Sequence, residues 1–222
     1  MKQLPRRELN RLARKQQLLD AALVVFAREG YSGASMDAVA AEAGTSKPTL
    51  YKHYPSKEAL FTAMMRARRD DMLLSIEPGD PDAMVAQLHG FAWRYARTVM
   101  RPDLLALARL IIGEAQRFPH IGVAYQQSGP DQVLDGVMTY LSHLRDEGRL
   151  QFEDAELAAQ DLWGLVLSAP RTRALYDPQW VPSQAELARY IHNGLRVFLA
   201  GYAASPERDL EELEAVIAAG TP

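Results

Sequence analysis

The 222-residue chain contains no cysteine, which excludes a disulfide framework and any site that needs a thiolate ligand or nucleophile. It has no run of about 18 apolar residues, so the sequence predicts no membrane-spanning helix. Its N-terminus is polar and lacks the apolar core of a secretory signal. We therefore expect a cytoplasmic protein without a membrane partner.

The chain also lacks the spacings that carry catalysis or metal binding. There is no His-x3-His or His-Glu-x-x-His pair and no glycine-rich phosphate loop. The histidines are scattered along the sequence, at His53, His89, His120, His143 and His192. The sequence therefore predicts no enzyme, no metal site and no cofactor.

Lysine is scarce, and all of it lies near the N-terminus, at Lys2, Lys15, Lys47, Lys52 and Lys57. Residues 1–69 hold thirteen basic against six acidic residues, a net charge of +7, whereas residues 70–222 hold twelve against twenty-two, a net charge of −10. A local basic cluster of this kind favours a nucleic-acid phosphate backbone. The basic residues before residue 17 fit either a further DNA contact or a mobile solubilising tail.

The most informative segment is residues 36–61, which predicts two short helices, a tight turn and the start of a third helix. Ser35 is placed to cap a helix that Gly44 ends, because glycine tolerates the left-handed backbone of the following turn. Ser46 is placed to cap a second helix with Pro48 in its first turn, where the missing N–H of proline costs nothing. This arrangement is typical of a helix-turn-helix, which places its second helix in the major groove of DNA.

Side chains of the second short helix divide by direction. Leu50 and Tyr54 lie four residues apart on one face, which suits packing against neighbouring helices. The remaining hydroxyl, basic and imidazole groups suit contact with phosphates and base edges. Serines cap helices in any protein, and surface lysines are often only solvated. The clustering of the lysines nevertheless favours a DNA-binding role. We predict these DNA-binding residues: Ser35, Thr45, Ser46, Lys47, Pro48, Thr49, Tyr51, Lys52, His53 and Lys57.

On these residues the chain resembles the TetR/AcrR family of ligand-responsive transcription regulators. The segment QLLDAALVVFAREG, residues 17–30, is similar to the first helix of that family and its glycine stop. Thr45 is a mild departure, because the family more often has valine there. The other matching positions are Tyr31, Ser35, Met36, Val39, Ala40, Ala43, Gly44, Ser46, Lys47, Leu50, Tyr51, Tyr54, Lys57, Glu58 and Leu60.

Helical periodicity and this resemblance predict the same fold class. It is all-α, with an N-terminal three-helix helix-turn-helix DNA-binding domain followed by a larger helical ligand-binding and dimerisation domain. We place these domains at residues 1–60 and 61–222. Beyond the helix-turn-helix we predict helices over residues 57–76, 81–100, 103–116, 130–147, 154–168 and 183–203, and a final one after Ser205. Residues 118–129 and 169–182 are predicted as loops.

Apolar side chains of the second domain provide two candidate sites. The first is a pocket for a small apolar or amphipathic effector, although such stripes are more often plain core. Its candidate residues are Trp93, Met100, Leu107, Ile111, Glu114, Phe118, Tyr125 and Trp163. Glu114 is also placed to form a structural ion pair with Arg117, three residues later.

The second candidate site is a dimer interface. In the family that the chain resembles, the last long helices pack against their symmetry mates as a four-helix bundle. For any single residue intrachain core is the favoured interpretation, whereas for the two apolar helices together, residues 155–167 and 185–202, the dimer is favoured. The candidate interface residues are Leu187, Ile191, Leu195, Phe198 and Tyr202.

Taken with these sites, the resemblance implies a homodimeric, sequence-specific DNA-binding transcription regulator. It would be a repressor that a small-molecule effector releases from a palindromic double-stranded operator. The alternative is an all-α enzyme or a small-molecule binding protein with no DNA role, but the sequence offers it no catalytic residues. A basic head lying on an anionic membrane would not need the capped turn at Gly44.

Overall fold

The computed structural model describes residues 5–72, 76 and 79–220. These residues are mainly helical, and they contain no β-strand apart from one antiparallel bridge between Leu150 and Ala203. The predicted all-α fold class is confirmed. In chain order the helices are α1 Arg6–Gly33, α2 Met36–Glu42, α3 Lys47–His53, α4 Lys57–Met72, α5 Met84–Val99, α6 Pro102–Glu114, α7 Pro119–Ser128, α8 Pro130–Asp146, α9 Ala155–Tyr176, α10 Gln184–Tyr202 and α11 Pro206–Ala218.

The chain folds into two compact units. The head unit comprises the described residues of Met1–Asp71 together with Ala106–Ser128, and the body unit comprises the described residues of Met72–Leu105 and Gly129–Pro222. The predicted domain boundary after residue 60 does not coincide with this division. The reason is that Phe61, Met64 and Met65 of α4 are buried in the hydrophobic core of the head.

The head unit is organised around α1, whose apolar stripe enters the core at Leu18, Ala22, Val25 and Phe26. The helix breaks at Gly30, where φ is 74°, and ends one turn later. It begins at Arg6 rather than near Gln17 as predicted, so the basic residues from Arg6 to Lys15 lie in a helix, while Lys2 lies outside the described residues. The described part of the basic N-terminal segment is therefore helical and is not the mobile tail that the sequence left open.

Residues 118–129, predicted as a loop, contain helix α7. Pro119 and the glycines in this segment indicated a loop, but Pro119 occupies the first helical position, where proline is tolerated. Ile121 is 1% exposed and packs in the core of the head unit with Leu107 and Ile111 of α6. Tertiary packing thus stabilises a helix that local propensity does not favour.

The body unit consists of α5, α8, α9, α10 and α11 around a second hydrophobic core. Helix α9 continues through Pro170 to Tyr176, beyond its predicted end at residue 168, with Pro170 and Ala174 buried. At Gly194 the backbones of α10 and α9 approach so closely that a Cβ would lie 2.6 Å from the Leu165 carbonyl oxygen. Packing on α10 therefore outweighs the helix-ending tendency of proline.

Two further predictions concern the segment after the helix-turn-helix. The helix predicted over residues 57–76 is described to Met72, residues 73–75 lie outside the described residues, and Ile76 is not helical but buried in the body core. The final helix after Ser205 is confirmed as α11. None of the helices described here has the length and apolar content needed to cross a membrane.

Candidate nucleic-acid interface

Caps and a tight turn hold α2 and α3 in place. Ser35 Oγ accepts a hydrogen bond from the Ala38 N–H at 3.1 Å, and Ser46 Oγ accepts one from the Thr49 N–H at 3.4 Å. Gly44 has φ 57°, the left-handed conformation that ends a helix in a turn. The predicted capping by both serines and the predicted glycine turn are confirmed.

One face of α3 packs inside the head. Leu50 has no exposed surface and Tyr54, the residue that follows the helix, is 6% exposed, which confirms their predicted packing. Burial raises the pKa of the Tyr54 phenol, whose hydroxyl has no hydrogen-bond partner among the described residues. These two side chains fix the orientation of α3 and are not available to an external partner.

The turn and the opposite face of α3 are open to solvent. Thr45 and Thr49 are half-buried, and the Oγ1 of Thr49 lies 2.8 Å from the Oγ of Ser46. Ser35, at the start of α2, is exposed. We name the exposed group on the turn and helix the α3 surface; it consists of Ser46, Lys47, Pro48, Tyr51, Lys52 and His53.

An ion pair links the start of α3 to the start of α2. The Lys47 Nζ lies 2.9 Å from Asp37 Oδ2, and this hydrogen bond raises the pKa of the lysine. Both side chains are more than half exposed, so the pair is weak and open to exchange. A phosphate that binds Lys47 would have to replace Asp37 as its partner.

Lys57 has a different environment from the one predicted. Its Nζ donates hydrogen bonds to the carbonyl oxygens of Tyr31, Ala34 and Ser32, at 2.7, 3.0 and 3.3 Å, and lies 4.9 Å from the centroid of the Tyr31 ring. The three N–H donors of an ammonium group are thereby used. In this structure Lys57 holds the end of α1 against α4 and has no donor left for a phosphate.

Two polar contacts at this surface were missed by sequence reasoning. The Gln17 amide donates to the Ala43 carbonyl at 3.1 Å, so α1 supports the backbone just before the turn. The other is the Lys47–Asp37 pair. Each joins residues that are ten or more positions apart in the chain, and no local pattern reveals such a pair.

Glu114 also has a different partner from the one predicted. Its Oε1 accepts a hydrogen bond from the Ser32 N–H at 3.2 Å, beside the break of α1 at Gly30. The Arg117 guanidinium lies 5.4 Å from the centroid of the Phe118 ring instead of pairing with Glu114. The carboxylate of α6 therefore stabilises the irregular end of α1.

The eight predicted effector residues fall into two hydrophobic cores. Trp93 is buried in the body core, and Met100 and Trp163 pack against it. Leu107 and Ile111 are buried in the head core, Phe118 and Tyr125 pack against that core, and Glu114 contacts α1 in the same unit. The predicted effector residues therefore belong to two groups, one in each unit.

Four of the five predicted dimer-interface residues are core residues of their own chain, whereas Tyr202 is half-buried. Leu187, Ile191, Leu195 and Phe198 are at most 9% exposed, and Tyr202 stacks on Phe198 with ring centroids 4.8 Å apart. Side chains covered by their own chain cannot contact a second subunit. The apolar character of α10 is thus explained by packing on α5 and α9, and the prediction is corrected for Leu187, Ile191, Leu195 and Phe198, while Tyr202 stays a candidate.

Comparison with known proteins agrees with the geometry of the head. Residues 18–64 match the family model for bacterial regulatory proteins of the TetR family, and residues 86–204 match that of the AefR-like transcriptional repressor C-terminal domain. The second match alone covers more than half of the chain.

The chain belongs to the TetR family. A TetR-family transcriptional regulator from Mesorhizobium loti MAFF303099 is 32% identical, with a TM-score of 0.74, over 86% of this chain and 98% of its own. The flavonoid-responsive regulator FrrA is 29% identical, with a TM-score of 0.73, over 86% of this chain and 97% of its own.

Some curated relatives of this TetR-family protein match a much shorter stretch. The transcriptional activator FasR of Mycolicibacterium smegmatis is 42% identical over 73 residues, which are 33% of this chain and 31% of FasR. The chain thus spans only about a third of the length of the first curated relatives that it matches. The sequence identity of these relatives supports the same class of transcription regulator. It does not extend to their partners or effectors.

Proposed function

We propose that this TetR-family chain is a sequence-specific DNA-binding transcription regulator that acts as a homodimer on a palindromic operator. The observation that carries the proposal is the α3 surface. It combines basic, hydroxyl and imidazole groups on a short helix whose opposite face is fixed in the core by Leu50. A rigid polar helix of this size fits the major groove.

The predicted DNA-binding residues around this surface divide into three direct roles. Lys47, Tyr51 and Lys52, with Ser35 and Ser46, bind phosphates and set the position of the head on the duplex. Thr49 and His53 contact base edges, while Thr45 and Pro48 shape the entry to the helix. Lys57 acts indirectly, because its hydrogen bonds to α1 keep the start of α4 in place.

The proposed dimer uses the outward faces of α9 and α10. The inward faces are buried within the chain, but Leu157 and Val197 are 56% and 48% exposed, and the surface of α9 also exposes Gly164 and Ser168. Small residues permit close approach of two helices, and a two-fold axis would bring the same faces of both subunits together. Such a dimer presents two α3 helices to one operator.

Effector binding is proposed for the aromatic cluster of the body unit. Trp163 stacks on Tyr95 with ring centroids 5.6 Å apart, and its indole N–H is buried without a partner among the described residues. An amphipathic ligand with a hydrogen-bond acceptor would satisfy this donor. Linkage then requires that the ligand lower DNA affinity by the same factor by which DNA lowers ligand affinity.

Repression is the proposed outcome, because the family model that matches the body region describes repressors. The relative FasR is named an activator. The position of the operator relative to a promoter, rather than the DNA-contacting residues, decides the sign of regulation.

Selection of binding sites from a randomised duplex library with the purified protein tests the proposal. We expect a palindromic motif to be enriched. Lys47→Ala and Tyr51→Ala should weaken binding to all duplexes, whereas Thr49→Ala and His53→Ala should change the enriched sequence. Arg94→Ala, an exposed substitution in the body unit, is the matched control and should leave selection unchanged. If no motif is enriched, the proposed function is wrong.

A further inference from the structure

The first three turns of α1, residues 6–17, which we name the α1 arm, have no assigned function. They precede residue 18, where the match to the TetR-family DNA-binding region begins. Family membership therefore does not explain them. At 1.5 Å per residue the α1 arm is about 18 Å long.

The α1 arm is strongly basic. It contains Arg6, Arg7, Arg11, Arg14 and Lys15 against the single acid Glu8, a net charge of +4.

The described basic side chains of the α1 arm are poorly paired. Arg11 lies 3.8 Å from Glu8, and Arg14 donates to the neutral Gln17 at 2.9 Å. By contrast Arg28, on the same helix, has Glu29 and Glu42 at 2.9 and 3.2 Å. The α1 arm therefore carries positive charge that the described part of the chain does not neutralise.

The register of the helix shows which side of the α1 arm is basic. Arg11 and Arg14 precede the buried Leu18 by seven and four residues, so they lie on the same line of the helix. Lys15 precedes the buried Ala22 by seven residues. The stripe that is apolar inside the head thus becomes basic where it leaves the core. Three cations on one stripe need water or an anionic partner.

The α1 arm ends beside the helix-turn-helix. Gln17, its last residue, donates to the carbonyl of Ala43, two residues before Thr45 and three before Ser46. Arg14 is less than one helical turn from Gln17, and Arg11 less than two. The length of about 18 Å exceeds the major-groove width of about 12 Å, so the arm is long enough to reach phosphates at the groove edge.

We propose that the α1 arm is a second DNA-binding element, in which Arg11, Arg14 and Lys15 bind backbone phosphates beside the groove contacted by α3. The inference rests on the proposed function of the α3 surface. Phosphate contacts carry no sequence information, so the arm raises affinity and salt dependence without changing the preferred site.

The test compares the full chain with the variant R11Q/R14Q/K15Q. Each protein is titrated with the selected operator, either ending at the motif or extended by ten base pairs on each side, between 50 and 200 mM salt. We expect the Kd of the variant for the extended duplex to rise roughly tenfold. The slope of log K against log salt should become shallower by about 0.9 for each phosphate that the variant no longer binds. The enriched motif should not change.

Two controls separate charge from folding. R11K/R14K keeps the positive charges and should bind the extended duplex within about twofold of the unaltered chain. Arg94→Gln removes one positive charge from the body unit and should not change the salt slope. Equal thermal unfolding midpoints for all proteins would show that α1 is intact.

The possible outcomes distinguish a failure of the α1 arm proposal from a failure of the proposed function of the α3 surface. If the unaltered chain binds the selected motif and R11Q/R14Q/K15Q matches it in both Kd and salt slope, the arm inference is overturned while the function of α3 stands. Equal weakening on the short and extended duplexes would also overturn binding to the flanks. If the unaltered chain binds no duplex, both proposals fail together.

Discussion

The head unit and the body unit hold their helices by different means. In the body, α9 and α10 have 22 and 19 residues and come into backbone contact at Gly194. In the head, α2 and α3 have only seven residues each, too few to be stable as isolated helices. These short helices are held by the hydrophobic core around Leu50 together with single polar contacts, such as the bond from Gln17 to Ala43 and those of Lys57. The surface proposed to meet DNA thus combines core packing on one face of α3 with a few hydrogen bonds, whereas the body relies on continuous packing of long helices.

The largest effect is expected where the body buries a charge. Asp209 is fully buried and accepts a hydrogen bond from Arg149 at 3.0 Å. Asp209→Ala should lower the free energy of unfolding by about 3 kcal/mol, because it removes the buried carboxylate partner of a mostly buried guanidinium, which keeps only the exposed carboxylate of Asp82 at 3.1 Å. Urea unfolding measures this change in the free energy of unfolding. Glu214→Ala, which breaks the exposed pair with Arg196, is the control and should cause no measurable change. Equal destabilisation of both variants would contradict the expected difference between a buried and an exposed ion pair.

A similar destabilisation is expected where α9 meets α10. Gly194→Ala places a Cβ 2.6 Å from the Leu165 carbonyl oxygen, and backbone has to move. We expect about 2 kcal/mol of destabilisation in urea. Gly136→Ala in α8, where a Cβ would meet nothing within 4 Å, should be neutral or stabilising. If Gly194→Ala is also neutral, packing of α9 on α10 is looser than described.

In the head, Lys57→Met tests whether this lysine is structural. It removes the bonds to the Tyr31, Ser32 and Ala34 carbonyls and should lower the free energy of unfolding by about 1.5 kcal/mol while also weakening DNA binding. Lys52→Ala, at an exposed position, should weaken binding without changing stability. A Lys57→Met protein of unchanged stability would restore the phosphate role that the sequence suggests.

The body unit should also lose stability in acid. His89 Nε2 accepts from Trp93 Nε1 at 3.1 Å and lies 3.4 Å from His192 Nε2. Burial lowers the pKa of both imidazoles, and their mutual repulsion lowers the pKa of His89 further. The unfolded chain therefore takes up protons first as pH falls below about 6.5, and stability present above that pH is lost.

Urea unfolding at pH 7.5 and 5.5 should show a decrease of about 1 kcal/mol in stability from this pair. His192→Gln should reduce the dependence on pH, since the charges that face His192, on Arg196 and Glu214, do not titrate in this range. His143→Gln serves as the control. If the free energy of unfolding instead rises on acidification, the lowered pKa values of His89 and His192 do not control the stability of the body unit.

The smallest effect concerns the exchange of partners at Lys47. Asp37→Asn removes the carboxylate that holds this lysine in the free protein, so Kd for DNA should fall about twofold at low salt, and less at high salt. Asp146→Asn, in an exposed ion pair of the body unit, should leave Kd unchanged. Weaker binding of Asp37→Asn would mean that Asp37 orients Lys47 for DNA.

Sequence reasoning was most accurate where the signals are local. Ser35, Gly44 and Ser46 act on backbone within a few residues, and their roles as caps and turn could be predicted. The role of Lys57 could not, because its acceptors lie 23 to 26 residues earlier in the chain. A positive charge at the start of α4 is unfavourable for the helix dipole, but the local sequence does not show which groups bind it.

By itself the sequence determined a capped helix-turn-helix with a basic exposed face, because caps, turn glycine and charge pattern are all encoded within a short stretch. Only the tertiary structure decided that the apolar face of α10 is covered by its own chain, that α7 is a helix of the head core, and that Glu114 and Lys57 stabilise the end of α1. An apolar stripe encodes the need for burial but not the surface that buries it, and a charged side chain is compatible with several partners until long-range packing brings one within reach.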